Sequence, residues 1–229
     1  MRCVEKSQYD LCVEVLRRLD KSGVLKHIVL IGSWCTLFYK SYFGHIKYTP
    51  VLKTRDIDLL VPHPPAISVK TNVAELLKDL GFVVGFDAPG GYIRLEHPGL
   101  IVEFLTIEKG RPSDKPYPLP KLGVNAQPLQ FLEILARDTI TAKVEDFSVT
   151  LPHPANFALH KLLISQRRPS PQKEEKDRDA AVQILEALIS KSEQDTIKKV
   201  FQPLPARWQN KIKKALQALD NNEISSVLL

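Results

Sequence analysis

The sequence predicts an α/β fold, a mixed β-sheet lobe over residues 1–120 followed by a mainly helical lobe over residues 121–229. Three observations carry this. Helical and strand-like periodicities alternate as far as residue 81, and three strand-like runs then accumulate before residue 108. The stretch "KGRPSDKPYPLP", residues 109–120, combines proline, glycine and charge as a surface linker does. Beyond it the apolar residues recur mostly at helical spacing.

Taken in order, residues 5–22 place Leu11, Cys12, Val15, Leu16 and Leu19 on one helical face and stop at Gly23. "HIVLIGS" predicts a buried strand ending in a Gly-Ser turn, and "WCTLFYKSYFG" a helix closed by Gly44. In that helix Trp34, Phe38 and Tyr42 repeat every four residues, the mark of a core-facing stripe. Residues 45–53 read as a loop and residues 54–61, "TRDIDLLV", as a strand closed by "PHPP". A helix is expected over "VKTNVAELLKDLG", then strands over "FVVGF", "GYIRLEH" and "LIVEFLTI". After the linker come a helix over "PLQFLEILA", a short strand pair within 138–151, and helices over "PANFALHKLLISQRR", "KDRDAAVQILEALIS" and two further segments reaching about residue 220.

Composition narrows the class. With 229 residues, 44% of them hydrophobic and 25% charged, the chain has ordinary globular make-up. A formal charge of +6 suits an anionic partner such as nucleotide or RNA. Three cysteines, Cys3, Cys12 and Cys35, give neither a disulfide framework nor zinc spacing, and a reducing cytoplasmic setting is expected. The charged N-terminus and the lack of a long apolar run predict neither signal peptide nor membrane span. The six histidines show no ligand spacing and are assigned to turns and surface.

The chemistry concentrates in residues 54–61. Side chains alternate along a strand, so Asp56 and Asp58 project from one face while Ile57, Leu59 and Val61 project from the other. Two neighbouring carboxylates repel one another and resist desolvation unless a cation lies between them. A hard divalent ion such as Mg²⁺ (or Mn²⁺) meets that need; a solvated edge strand is the plainer account. Gly32 and Ser33 stand between a strand and a helix, where free backbone N–H groups and the helix dipole favour phosphate, although Ser33 also suits a simple helix cap. A third acid, Glu103, interrupts the apolar "LIVEFLTI", with Glu96 on the preceding strand as its rival.

Gly32-Ser33 opening a helix, Asp56-Ile57-Asp58 on the next strand and an acid on a later strand resemble the DNA polymerase beta-type nucleotidyltransferase superfamily over residues 28–105. Two features depart from its pattern: the Gly-Ser to Asp spacing is longer, and a glutamate stands where an aspartate is commoner. "HPANFALHKLLISQRR" with "KDRDAAVQIL" is similar to the helical region of bacterial proteins of this fold related to AbiE-type toxins, the matching positions being Lys161, Lys176 and Asp177. The resemblance implies a metal-dependent enzyme that moves an NMP from an NTP to an acceptor, RNA or protein among the possibilities. It makes Asp56, Asp58 and Glu103 catalytic and metal-binding, and Gly32, Ser33, Lys161 and Asp177 nucleotide-binding. The alternative is a noncatalytic nucleotide- or RNA-binding protein that retains the fold.

Overall fold

The computed structural model describes residues 7–50, 54–87, 90–108, 110, 115–218 and 221–228. Cys3, the beginning of the first expected helix, the end of the 45–53 loop and part of the 109–120 linker lie outside them. The chain divides into two compact units: the described residues of Met1–Cys35 with Leu52–Leu151, and of Thr36–Val51 with Pro152–Leu229.

In the first unit α1 (Gln8–Lys21) starts where the Ser7 hydroxyl accepts the Asp10 amide at 3.1 Å. It buries Leu11, Val15, Leu16 and Leu19. Strand β1 (Val29–Ile31) leads through Gly32-Ser33 into α2 (Trp34–Phe43), whose first two residues belong to this unit and the rest to the second. Next come β2 (Asp56–Val61), a short helix α3 (Val73–Leu77) capped by Asn72, β3 (Val83–Asp87), β4 (Tyr92–Glu96) and β5 (Ile101–Ile107). Two further strands, β6 (Tyr117–Leu119) and β7 (Val124–Leu129), precede a one-turn helix α4 (Glu133–Arg137) and a hairpin, β8 (Thr139–Val144) with β9 (Phe147–Pro152).

The main sheet runs β1-β2-β5-β4-β3 and is mixed: β2 and β5 are parallel, while β1–β2, β5–β4 and β4–β3 are antiparallel. Beyond β4, the same edge of β5 takes β7 in parallel, and β6 pairs with β7. The Asn125 side chain bridges this change of partner, accepting the Ile93 amide at 2.8 Å and donating to the Gly91 carbonyl at 3.1 Å. One sheet face carries Ile57, Leu59, Val61, Val102, Phe104 and Thr106, all buried.

Two expectations need correction here. Residues 128–136 are not one helix: Pro128 and Leu129 end β7, and helix begins only at Glu133. The expected linker also contains strand β6. β7 exists through parallel pairing with distant β5, a non-local contact that overrides local helical spacing, and β6 pairs antiparallel with β7. Residues 121–151 group with the first unit, and Thr36–Val51 with the helices that follow.

The second unit is helical: α5 (Pro154–Ser165), α6 (Pro171–Ser190), α7 (Gln194–Phe201), α8 (Ala206–Gln217) and α9 (Asn222–Leu228), with most of α2. α5 is buried on nearly every side, as a helix apolar all round must be. Phe38 is buried as the stripe predicts; Tyr42 instead donates its hydroxyl to Glu193 at 2.6 Å, with Lys191 above its ring. Among the described residues no helix is long and apolar enough to cross a membrane.

Candidate active site

The chain is anchored just before β2. Gln8 donates to the carbonyls of Thr54 and Gly99 at 2.8 and 3.1 Å, and the Thr54 hydroxyl accepts the Asp56 amide at 3.2 Å. Asp56 and Asp58 then project from one face, both half-buried, while Ile57 and Leu59 are fully buried behind them. Further along the same face Leu60 and Leu105 are buried, so the polar part of the face is confined to the start of β2 and β5.

Sheet register assembles the rest. Ile31 stands opposite Asp58, which brings the Gly32-Ser33 turn beside that carboxylate, and α2 begins one residue later. Asp58 stands opposite Glu103 on β5, and Glu103 opposite Arg94 on β4, so the side chains form a row across three strands. Glu96 shares the face, one row away, but its carboxyl lies over Gly85 on β3: a Cβ there would come within 2.6 Å of it. Of the two rival acids, Glu103 is the one that register sets beside Asp58.

Gly32 has φ +73°, and a Cβ built on it would fall 1.9 Å from Asp58 Oδ2. Any side chain would therefore meet both a left-handed backbone and an occupied space. Gly32→Ala is expected to lower stability by about 1–2 kcal/mol through the backbone alone and to push the Asp58 carboxylate aside. Thermal unfolding checks the first effect; an unaltered carboxylate position in a structure of the variant would refute the second.

Sequence reasoning missed Arg94. Its guanidinium pairs with Asp87 at 2.8 Å and with Glu103. The available signal was a lone cation alternating with Glu96 on one strand face. Burial pushes the Glu103 carboxyl above its ordinary value and the Asp56 and Asp87 charges add to this, with Arg94 only partly opposing them. Asp56, Asp58 and Glu103 offer hard oxygen donors, the type Mg²⁺ and Mn²⁺ prefer, so their chemistry fits such an ion. Among the described residues no three acidic, histidine or cysteine side chains yet converge on one point, and Glu103 is held by Arg94.

Lys161 and Asp177 belong to the second unit, where they meet directly. Lys161 Nζ lies 2.6 Å from Asp177 Oδ1, both side chains are at least 92% buried, and Arg168 pairs with the other carboxylate oxygen. Burial alone would raise the Asp177 pKa; Lys161 and Arg168 outweigh it and hold the carboxyl below its ordinary value. Neighbouring His160 is pushed down to about 3 by burial and by the Lys161 charge, and is neutral near pH 7.

A protein-family model described as nucleotidyltransferase matches residues 10–205. No curated protein matches the chain. Among solved structures it is similar to an antigenic nucleotidyltransferase-like protein from Paracoccidioides brasiliensis, with 15% identity, a TM-score of 0.51, and coverage of 98% of this chain and 93% of that one. It is also similar to ANT(2″)-Ia, solved in complex with adenylyl-2″-tobramycin, with 12% identity, a TM-score of 0.43, and coverage of 85% of this chain and 98% of that one.

Proposed function

Because the chain belongs to the nucleotidyltransferase family, whose model spans most of its length, we propose that it transfers a nucleoside monophosphate from an NTP to an acceptor in a reaction dependent on a divalent cation. The observation that carries this reading is the row of Asp58 and Glu103 across parallel strands, with Asp56 on the same face and the Gly32-Ser33 turn alongside.

Asp56, Asp58 and Glu103 would hold Mg²⁺ or Mn²⁺, which when bound supplies positive charge against the phosphate oxygens. The amides at the start of α2 and the Ser33 hydroxyl bind the triphosphate. The acceptor oxygen forms a bond to the α-phosphorus, the α–β anhydride bond breaks, and its electron pair leaves on pyrophosphate. The acceptor proton passes to a Glu103 oxygen. Lys161 and Asp177 on α5 and α6 keep the nucleotide-binding role that the sequence resemblance to AbiE-type toxin proteins implies. The hold of Arg94 on Glu103 favours a second reading, a noncatalytic nucleotide- or RNA-binding protein of the same fold.

The test is transfer of label from each of the four NTPs, with Mg²⁺ or Mn²⁺, to a pool of cellular RNA, protein and small molecules. Labelling that a chelator abolishes is the expected result, and no labelling under any combination counts against catalysis. Ser33→Ala is expected to weaken triphosphate binding by about 1 kcal/mol, one hydrogen bond. A drop in melting temperature with binding untouched would make Ser33 a helix cap only.

A further inference from the structure

The positive surplus of the chain is concentrated in one place. Helices α7 and α8 carry Lys198, Lys199, Arg207, Lys211, Lys213 and Lys214 against Asp195 alone, six positive charges and one negative, or +5 of the chain's +6. α8 buries Trp208, Ile212, Ala215 and Leu216, and this spacing turns Arg207, Asn210, Lys214 and Gln217 outward, with Lys211 at the margin. Lys198 and Lys199 are exposed on α7. The turn between them is firmly set: the Gln209 amide donates to the carbonyls of Gln202 and Leu204 at 2.8 and 3.0 Å, and Gln166 donates to the Lys211 carbonyl at 2.7 Å.

Several cations elsewhere are paired, although Lys26, Lys40, Lys70, Arg137 and Lys143 form no ion pair among the described residues. Arg17, Arg18, Arg94, Lys161, Arg168, Arg178 and Lys191 each face a carboxylate. Among the described residues Lys198, Lys199, Arg207, Lys213 and Lys214 form no ion pair. Like charges at i,i+3 and i,i+4, such as Arg207, Lys211 and Lys214, oppose helix formation, and an anionic partner reverses that effect. The outward face of α8 has no large apolar side chain to enter a bilayer, while Asn210 and Gln217 add amide donors of the kind used on phosphate and sugar.

We infer that the outward face of α7 and α8 binds the phosphate backbone of single-stranded nucleic acid. Together with the transferase reading, on which this one step rests, it makes RNA the class of acceptor. Binding itself is independent of that reading, since it needs neither NTP nor metal.

The experiment measures binding of a fluorescent 20-nucleotide oligo(U), and of oligo(dT), at several salt concentrations with a chelator present. The intact protein is expected to bind with an affinity that falls steeply with salt. Arg207→Gln with Lys211→Gln and Lys214→Gln removes three contacts and should flatten the log–log salt slope by about 2, at about 0.7 per phosphate on a single strand. Lys211→Arg with Lys214→Arg should keep slope and affinity. Should the triple variant melt early, Lys198→Gln with Lys199→Gln gives the second reading, a flattening of about 1.4. The inference is overturned if the intact protein fails to bind either strand at low salt, if the variants bind with unchanged slope, or if phosphatidylserine vesicles are bound and the oligonucleotides are not.

Discussion

Replacing Asp56 and Asp58 together by asparagine is expected to lower nucleotide transfer by about 10³-fold or more, because several kcal/mol of transition-state charge stabilisation depends on the ion they would hold. Asparagine keeps the shape of each side chain and removes its charge. The two carboxylates stand on one face of β2 at adjacent outward positions, with Glu103 beside them on β5. Removing their repulsion should leave stability unchanged or raise it. Melting temperature and transfer of labelled nucleotide, measured on the same preparations, therefore move apart: the fold is kept while turnover collapses. If the unaltered protein transfers nothing and binds nucleotide no better than the double variant, the acids have no metal-dependent role and the noncatalytic reading takes its place.

The acid pair was legible in the sequence because it needs only strand alternation. Glu103 was named as a third acid, but the choice between it and Glu96 was not legible. Glu96 and Glu103 both interrupt apolar strands, and only the register of β5 with β2 and β4 sets Glu103 beside Asp58 and lays Glu96 over Gly85. Arg94 was hidden for the same reason, since its meaning depends on what stands opposite. Gly32-Ser33 before a helix was readable, whereas the closeness of Gly32 to Asp58 depends on Ile31 pairing with Asp58. The error over β7 comes from its long-range parallel pairing with β5, which leaves no local periodicity, and β6 is a three-residue strand that exists by pairing antiparallel with β7. Burial of Lys161 did leave a trace: "FALHKLLIS" is apolar on all sides of a helix, so a lysine within it has to be buried with a partner.

That partner makes the other large effect. Asp177→Ala is expected to destabilise the protein by about 3–5 kcal/mol, the range for breaking a buried ion pair from one side. The Lys161 side chain, 8% exposed, would be left charged without a carboxylate, although Arg168, 36% exposed, can turn to water. Lys161→Met should cost less, because Asp177 keeps Arg168. Lys161→Met combined with Asp177→Leu should recover much of the loss, since apolar replacement of a buried pair is often neutral or better. Acid gives an independent check. The Asp177 pKa is depressed in the folded protein, so its contribution is complete above the unfolded value of about 3.9 and is lost as pH falls through the lower folded value. Acid unfolding of the double variant should therefore be shallower than that of the unaltered protein below about pH 4. Nucleotide binding by the same double variant decides what the pair is for. Stability regained with triphosphate affinity unchanged assigns Lys161 and Asp177 to the packing of α5 on α6, and stability regained with that affinity lost assigns them to the nucleotide.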